Sequence, residues 1–312
     1  DLRALGKIIS VFKNTGGSSH KIFVKLFETA VLPVITYSAG IWGLREFKQL
    51  NTVLNKAGRF LLGLPPKAPN IATQGEMGWK SIIYHTRNEV LCLFCRLQNM
   101  DHDRVTKRVF QWSRLQHGKN WAYNVKKFLD NNDLIDIYDN QMDIGQALAM
   151  SEPILRDIEN NKWQSALWND KGLINGNKLR TYRLFKVNLE PELYLDYNIP
   201  RYERSSYIKL RCGVLPLEIE TGRYNGTPYD GRICKLCNLN EVESESHFLI
   251  DCPLYEDLRT VIYNNAVDID ANFLELQKSD KMCFILNNTQ IAPQVIKCVH
   301  KMYNRRKQHI TR

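Results

Sequence analysis

The chain has 312 residues, of which 44% are hydrophobic and 24% are charged, and its formal net charge is +10. This composition excludes an intrinsically disordered or collagen-like chain, and the length allows two or three domains, each with its own core. No run of about 18 apolar residues is present, so the sequence predicts no membrane-spanning helix and no membrane partner. The positive charge favours an anionic partner such as nucleic acid.

The cysteines and the start of the chain indicate its cellular compartment and its origin. Its eight cysteines follow no regular disulfide framework, and no secretory signal is recognisable. Such cysteines are typical of a reducing compartment, so we expect an intracellular protein of the cytoplasm and nucleus. The chain begins at Asp1 rather than Met, and residues 2–9 already have a helical pattern, so we expect it to be a piece of a longer polypeptide.

Helical periodicity dominates the first hundred residues. Apolar residues recur at helical spacing in four segments, residues 1–14, 22–31, 47–61 and 82–97. The last segment contains Cys92 and Cys95, a pair at metal-ligand spacing. Because their neighbours are apolar and no further cysteine is near, we interpret both as small core residues rather than as a metal site.

The stretch from Arg104 to Leu129 combines positive charge with aromatic residues. It has no acid, and its seven cations are Arg104, Lys107, Arg108, Arg114, Lys119, Lys126 and Lys127. Trp112, Trp121 and Tyr123 are interleaved with them. This pattern suits a nucleic-acid backbone and its bases, although a solvated helix face with buried aromatics would have the same pattern.

The next segments are again predicted to be helical. Residues 134–170 have helical spacing, with Trp163 and Trp168 as core anchors. In residues 178–186 an apolar stripe is surrounded by cations, and we predict that nucleic acid contacts this segment, with Tyr182 stacking on a base. The predicted contacts are Lys178, Arg180, Tyr182, Arg183 and Lys186.

Residues 234–252 contain the clearest motif of the chain. Cys234 and Cys237 are two residues apart, His247 follows after nine more, and Cys252 after another four. Three thiols and one imidazole at this spacing predict a closed tetrahedral Zn²⁺ site, which would stabilise a segment that has few apolar residues. The alternative is a set of buried free cysteines with a surface histidine.

The predicted zinc segment is acidic, whereas the end of the chain is basic. Residues 238–258 contain six acids and no Lys or Arg, which argues against phosphate contacts there. We expect this segment to brace residues 211–232. The last predicted helix starts near Pro293, and its cations include Arg305 and Arg306, which we predict as further nucleic-acid contacts. Cations at a helix C-terminus are also stabilising in themselves.

Several short motifs resemble LINE-type (non-LTR) retrotransposon reverse transcriptases. The motifs similar to the region just past the polymerase palm are LPVITY (32–37), GIWG (40–43), RFLLGLP (59–65) and GEMG (75–78). Those similar to the C-terminal cysteine–histidine segment of the same proteins include LRCG (210–213), ETGRY (220–224), RIC (232–234), HFL (247–249) and CP (252–253). The resemblance extends from about Leu2 to Arg306.

The resemblance implies a mainly α protein in four segments. These are a thumb-like helical region (1–100), a helical connector with basic and aromatic stretches (101–225), a zinc knuckle (226–262) and a C-terminal helical tail (263–312). It also implies an upstream polymerase palm in the same polypeptide. Because neither a Tyr-x-Asp-Asp motif nor an endonuclease constellation is present, we expect no catalytic residue and no enzymatic activity in this chain.

Two functions from different classes follow. In the first, the chain binds nucleic acid and positions template RNA or target DNA for the palm. In the second, it is a zinc-stabilised helical scaffold that binds another protein. The position of the cations distinguishes them: convergence of residues 104–127, 178–186 and 305–312 on one face would support the first, and dispersion the second.

Overall fold

In a computed structural model of the chain, the structure describes residues 2–14, 19–116, 118–169 and 178–310. Over these residues the backbone forms 17 α-helices and no β-strand, which confirms the predicted mainly α fold. The helices are α1 (Leu2–Asn14), α2 (His20–Ala30), α3 (Leu32–Ile35), α4 (Ala39–Trp42), α5 (Leu50–Leu62), α6 (Asn70–Met77), α7 (Ile82–Gln98), α8 (Val105–Leu115), α9 (Trp121–Asp130), α10 (Ile135–Asp139), α11 (Ile144–Trp168), α12 (Tyr182–Phe185), α13 (Arg201–Arg211), α14 (Glu218–Tyr224), α15 (Glu256–Val267), α16 (Lys278–Asn287) and α17 (Ala292–Ile310).

Of the two tryptophans of α11 predicted to be core anchors, one is buried and the other is exposed. Trp163 is buried, as expected, with 3% of its surface exposed. Trp168, the last residue of α11, is 61% exposed, so its prediction as a core anchor is wrong. At the helix end its ring contacts a cation instead, since the guanidinium of Arg183 lies 5.7 Å from the ring centre.

The chain divides into two compact units. The first comprises Asp1–Ile8, Val24–Leu54 and Lys80–Trp163, and the second comprises Ile9–Phe23, Asn55–Trp79 and Gln164–Arg312. The four segments that the resemblance implies, with boundaries after residues 100, 225 and 262, stay a prediction.

An aromatic cluster forms the core of the first unit. The ring of Phe94, in α7, lies 5.6 Å from that of Phe110 in α8 and 5.2 Å from that of Tyr138 in α10. Removal of this apolar surface from water stabilises the packing of these helices. Cys95 is fully buried in the same cluster, and Cys92 is half-buried. Neither belongs to a group of metal-ligating side chains within the described part of the chain.

The second unit is organised around a buried ion pair. Glu76 in α6 and Arg211 at the end of α13 are both fully buried, and Arg211 Nε lies 3.0 Å from Glu76 Oε1. Glu192 supplies a second carboxylate, 2.8 Å from Arg211 Nη2. Burial raises the pKa of Glu76 to about 7, even with the guanidinium beside it. Three aromatic rings enclose the guanidinium at 4.5 to 5.6 Å, those of Phe185, Tyr194 and Tyr207.

This ion pair joins two of the motifs that carry the family resemblance, GEMG and LRCG. Glu76 and Arg211 are 135 residues apart in the sequence. Gly213, in the second motif, has a φ of +63°, and a Cβ atom there would lie 2.0 Å from the carbonyl oxygen of Lys178. Glycine is therefore required at this position. The close approach places the backbone of Lys178 directly against the LRCG motif.

Candidate metal centre

The four predicted metal ligands come together in the second unit. One ligand atom from each of Cys234, Cys237, His247 and Cys252 lies within 4.8 Å of every other. Ligand atoms about 2.3 Å from a tetrahedral metal are roughly 3.8 Å apart, so these side chains could hold a metal ion. Cys237 is half-buried and the other three are buried. Four protein ligands without an open position are typical of a structural rather than a catalytic metal site.

A short backbone pairing positions the first two cysteines. The amide of Cys234 donates to the carbonyl of Glu241 at 2.8 Å, and the amide of Glu243 donates to the carbonyl of Arg232 at 3.0 Å. Asn240 has a φ of +54°, a left-handed conformation that asparagine tolerates. This turn folds the loop back on itself, and Cys237 therefore lies beside Cys234.

A single π-helical turn, His247–Asp251, positions the other two ligands. Its first amide is satisfied locally, because His247 N donates to Ser244 Oγ at 3.1 Å. Cys252 follows this turn, and its amide donates to the carbonyl of His247 at 2.8 Å. Arg259, in α15, donates to the carbonyl oxygens of Leu249 and Cys252 and so ties the turn to the next helix.

The imidazole is oriented by a carboxylate. Glu241 Oε2 lies 3.1 Å from His247 Nδ1, while His247 Nε2 lies 3.4 Å from Cys237 Sγ. When Nδ1 donates to the carboxylate, Nε2 is the nitrogen left to ligate a metal, an arrangement common around metal-bound histidines. The thiols also interact. The hydrogen bond with Cys252, together with burial, raises the pKa of Cys234 to about 12, and the same bond lowers the pKa of Cys252.

Buried ion pairs connect the segment of the candidate metal centre, residues 234–252, to the rest of the second unit. Glu245 accepts hydrogen bonds from Arg180, whose Nε lies 3.0 Å from Oε2. Glu243 accepts two hydrogen bonds from Arg306, at 2.7 and 2.6 Å. Only 2% and 1% of the two glutamate side chains are exposed. Glu243 and Glu245 therefore face inward and hold the segment against residues 178–186 and α17.

Arg180 and Arg306, which pair with these acids, are two of the seven predicted nucleic-acid contacts. Three more are engaged in the same unit. Lys178 Nζ lies 2.8 Å from a carboxylate oxygen of Glu220, and Lys186 pairs with Glu192. Tyr182 is fully buried, and its hydroxyl donates to the carbonyl of Ala72 at 3.3 Å. Its ring therefore offers no exposed face to a base in this structure.

The last two predicted contacts lie nearer to solvent. Arg183 is half-buried, and its Nε donates to the carbonyl of Leu179 at 3.2 Å. Arg305 pairs with Asp257, with 2.7 Å between Nη2 and Oδ2. Nucleic-acid contact by the seven residues stays a prediction, but contact by most of them would require an intramolecular partner to be displaced.

The seven cations of residues 104–127 have a different environment. Lys107 is buried and donates to the carbonyl oxygens of Leu97 and Gln98 at the end of α7. The other six are exposed, and none of them forms an ion pair with an acid within the described ranges. We call these six the basic face: Arg104, Arg108, Arg114, Lys119, Lys126 and Lys127. Their pattern in the sequence suits a nucleic-acid backbone, but none of the six is among the seven predicted contacts.

Comparison of the chain with protein-family models, with curated proteins and with solved structures finds no match. The resemblance to LINE-type reverse transcriptases therefore depends on the short motifs alone. No described helix is both long enough and apolar enough to cross a bilayer.

Proposed function

We propose that this chain is a nucleic-acid-binding, non-catalytic C-terminal region of a LINE-type reverse transcriptase. In this role it positions template RNA or target DNA for a polymerase palm of the same polypeptide. The basic face is the observation that carries the proposal. Six exposed cations without an ion-pair partner in the described residues can neutralise phosphates without breaking an intramolecular ion pair.

The metal in this proposal is Zn²⁺ with a structural role. Soft thiolate ligands combined with one imidazole select zinc over the hard cations Mg²⁺ and Ca²⁺, which prefer oxygen ligands. The separations within the ligand set suit a tetrahedral ion, and Glu241 supplies the outer carboxylate that orients His247. When bound, zinc would hold together the turn of Cys234 and Cys237 and the turn of His247 and Cys252.

The salt dependence of binding tests the proposal directly. The purified chain should bind single-stranded RNA or DNA, and its affinity should fall by orders of magnitude between about 50 and 200 mM salt, because each neutralised phosphate releases counterions. It should not extend a primer in the presence of Mg²⁺ and nucleotides. Absence of binding at the lowest salt concentration would contradict the proposal.

The second candidate is the zinc-stabilised scaffold that binds another protein. An apolar stripe on α8 favours it, since Val105, Val109 and Trp112 share one side of the helix and are 57 to 73% exposed. A scaffold of this kind would bind a protein partner through apolar contacts, so its affinity for nucleic acid would be negligible. The same salt titration therefore separates the two candidates.

A further inference from the structure

A cleft opens in the first unit, beside the end of α8, the outer face of α9 and α10. Its volume is about 760 Å³, which is within the range of ligand-binding clefts. Four members of the basic face line it: Arg114, Lys119, Lys126 and Lys127. Tyr123 and Asn131 contribute a ring and an amide, and Asp130 is the one acid among the lining residues.

Hydrogen bonds hold two parts of the cleft wall. Asn120 caps α9, because its side chain accepts a hydrogen bond from Tyr123 N at 2.9 Å and donates to the carbonyl of Ser113 at 2.7 Å. Arg114 donates to the carbonyl of Tyr138 at 3.0 Å, and its guanidinium lies 4.3 Å from the centre of the Tyr138 ring. The backbone that carries Tyr123 and the position of Arg114 are therefore set by contacts within the chain, which reduces the free energy that a ligand would lose in ordering them.

The chemistry of the cleft matches a nucleotide. Tyr123 is 43% exposed, so part of its ring is available as a stacking surface. Bases stack on such rings whatever their identity, while lysines beside the ring attract the phosphates of the backbone. The amide of Asn131 and the carboxylate of Asp130 can accept hydrogen bonds from the amino groups of a base, and the amide can also donate.

We infer that this cleft binds an unpaired nucleotide within a single strand, an inference that rests on the proposed nucleic-acid-binding function. The base stacks on Tyr123, and the neighbouring phosphates contact Lys119, Lys126 and Lys127. A duplex cannot offer a base to Tyr123, because its bases are already stacked on both sides. The cleft therefore prefers single strands, whereas phosphate contacts alone would not distinguish the two forms strongly.

Substitution of Tyr123 tests the inference. The full chain and its variants are titrated with a labelled single strand, and with the same strand annealed to its complement. Tyr123→Ala should weaken single-strand binding roughly tenfold, with little effect on duplex binding, whereas Tyr123→Phe should retain most of the affinity. Tyr37→Ala is the matched control, since Tyr37 is a 79% exposed tyrosine of the same unit outside the cleft.

The possible outcomes separate the inference from the proposed function. If the wild-type chain binds single strands and Tyr123→Ala binds them equally well, the stacking site is wrong and the proposed function stands. If the wild-type chain binds neither strand form at low salt, both fail. A free nucleoside monophosphate serves as competitor, and displacement of the strand at equal concentration would show a site for free nucleotides and overturn the assignment to a strand.

Discussion

Cations in two regions of this molecule have similar sequence patterns and different environments. The six cations of the basic face are exposed and have no ion-pair partner among the described acids. Those around the candidate metal centre are each held by the fold, as with Arg180 on Glu245 and Arg306 on Glu243. The difference shows that a cationic stretch in the sequence does not reveal whether the fold supplies acids to pair with it.

The separation along the chain explains why the two regions look alike in sequence. Arg180 and Glu245 are 65 residues apart, and Arg306 and Glu243 are 63 residues apart. Pairs of this kind are made by tertiary packing and leave no local pattern. Neither residues 104–129 nor residues 178–186 contain an acid of their own, so the local sequence does not distinguish the unpaired region from the paired one.

The largest expected effect comes from loss of the metal. The chain should contain about one equivalent of Zn²⁺, and Cys237→Ser or a chelator should remove it and unfold residues 226–262, because a structural metal contributes folding free energy directly. The first unit should stay folded. Elemental analysis and hydrogen exchange check these expectations, and Cys92→Ser, which removes a thiol outside the centre, is the control. Freshly purified, reduced protein without zinc would contradict the prediction.

The adjacent residues Arg305 and Arg306 test the difference between an exposed and a buried pair. Arg306→Met should destabilise the chain by about 3–5 kcal/mol, because it leaves the Glu243 charge buried without a partner. Arg305→Met should cost less than about 1 kcal/mol, since its pair with Asp257 is exposed to solvent.

Urea unfolding measures the stability of both variants. Adding Glu243→Gln to Arg306→Met should restore part of the lost stability, because the unpaired charge is then removed as well. Equal costs for the two single variants would show that burial does not distinguish these arginines.

The pair of Glu76 and Arg211 predicts a pH dependence of smaller size. Burial raises the pKa of Glu76 from 4.5 to about 7, so between these values the folded chain binds a proton that the unfolded chain releases. Stability should therefore fall as pH rises from about 4.5 to 7, by up to roughly 3 kcal/mol.

The variant Glu76→Gln should lack this part of the pH dependence, as measured by urea unfolding at pH values across that range. Glu275→Gln, an exposed glutamate of the same unit, is the control and should keep the wild-type profile. If the wild type and both variants showed the same change in stability over this pH range, Glu76 would already be ionised in the folded chain.

The smallest expected effect concerns nucleic-acid binding by the two regions. The double variant Lys126→Gln with Lys127→Gln should lower the slope of log affinity against log salt by about 1.4, because two phosphate contacts of a single strand are lost. Arg180→Gln should leave that slope unchanged and lower stability instead.

Lys25→Gln with Lys48→Gln is the matched control, since both lysines are exposed, lie in the same unit as the cleft and do not line it. If Arg180→Gln lowers the slope and the lysine pair in α9 does not, the surface predicted from residues 178–186 is the correct one.

Local sequence patterns were sufficient for the longer helices and for the Cys/His group that could hold a metal. The apolar spacing of residues 82–97 and the start near Pro293 agree with α7 and α17 to within one residue. Cys234, Cys237, His247 and Cys252 converge because their spacing is short and two local turns bring them together. Periodicity and ligand spacing are properties of neighbouring residues, so one sequence contains them in full.

Burial of polar groups could not be predicted in the same way. Residues 178–186 contain an apolar stripe that is surrounded by cations. This pattern fits a surface helix, and it fits equally a core segment whose cations pair with acids far away in the sequence. The structure shows the second arrangement for Tyr182 and Lys186. Nothing in the LRCG motif indicates that Arg211 is fully buried, because its partner Glu76 lies in a different motif.

The ion pairs that hold the segment of the candidate metal centre have a practical consequence for purification. When the segment unfolds, Glu243 and Glu245 leave Arg306 and Arg180, and two guanidinium groups become available to any polyanion in the tube. Zinc-depleted preparations should therefore adhere to RNA, DNA and heparin resins more strongly than intact ones. Retention on such a resin would then report damaged protein rather than specific recognition.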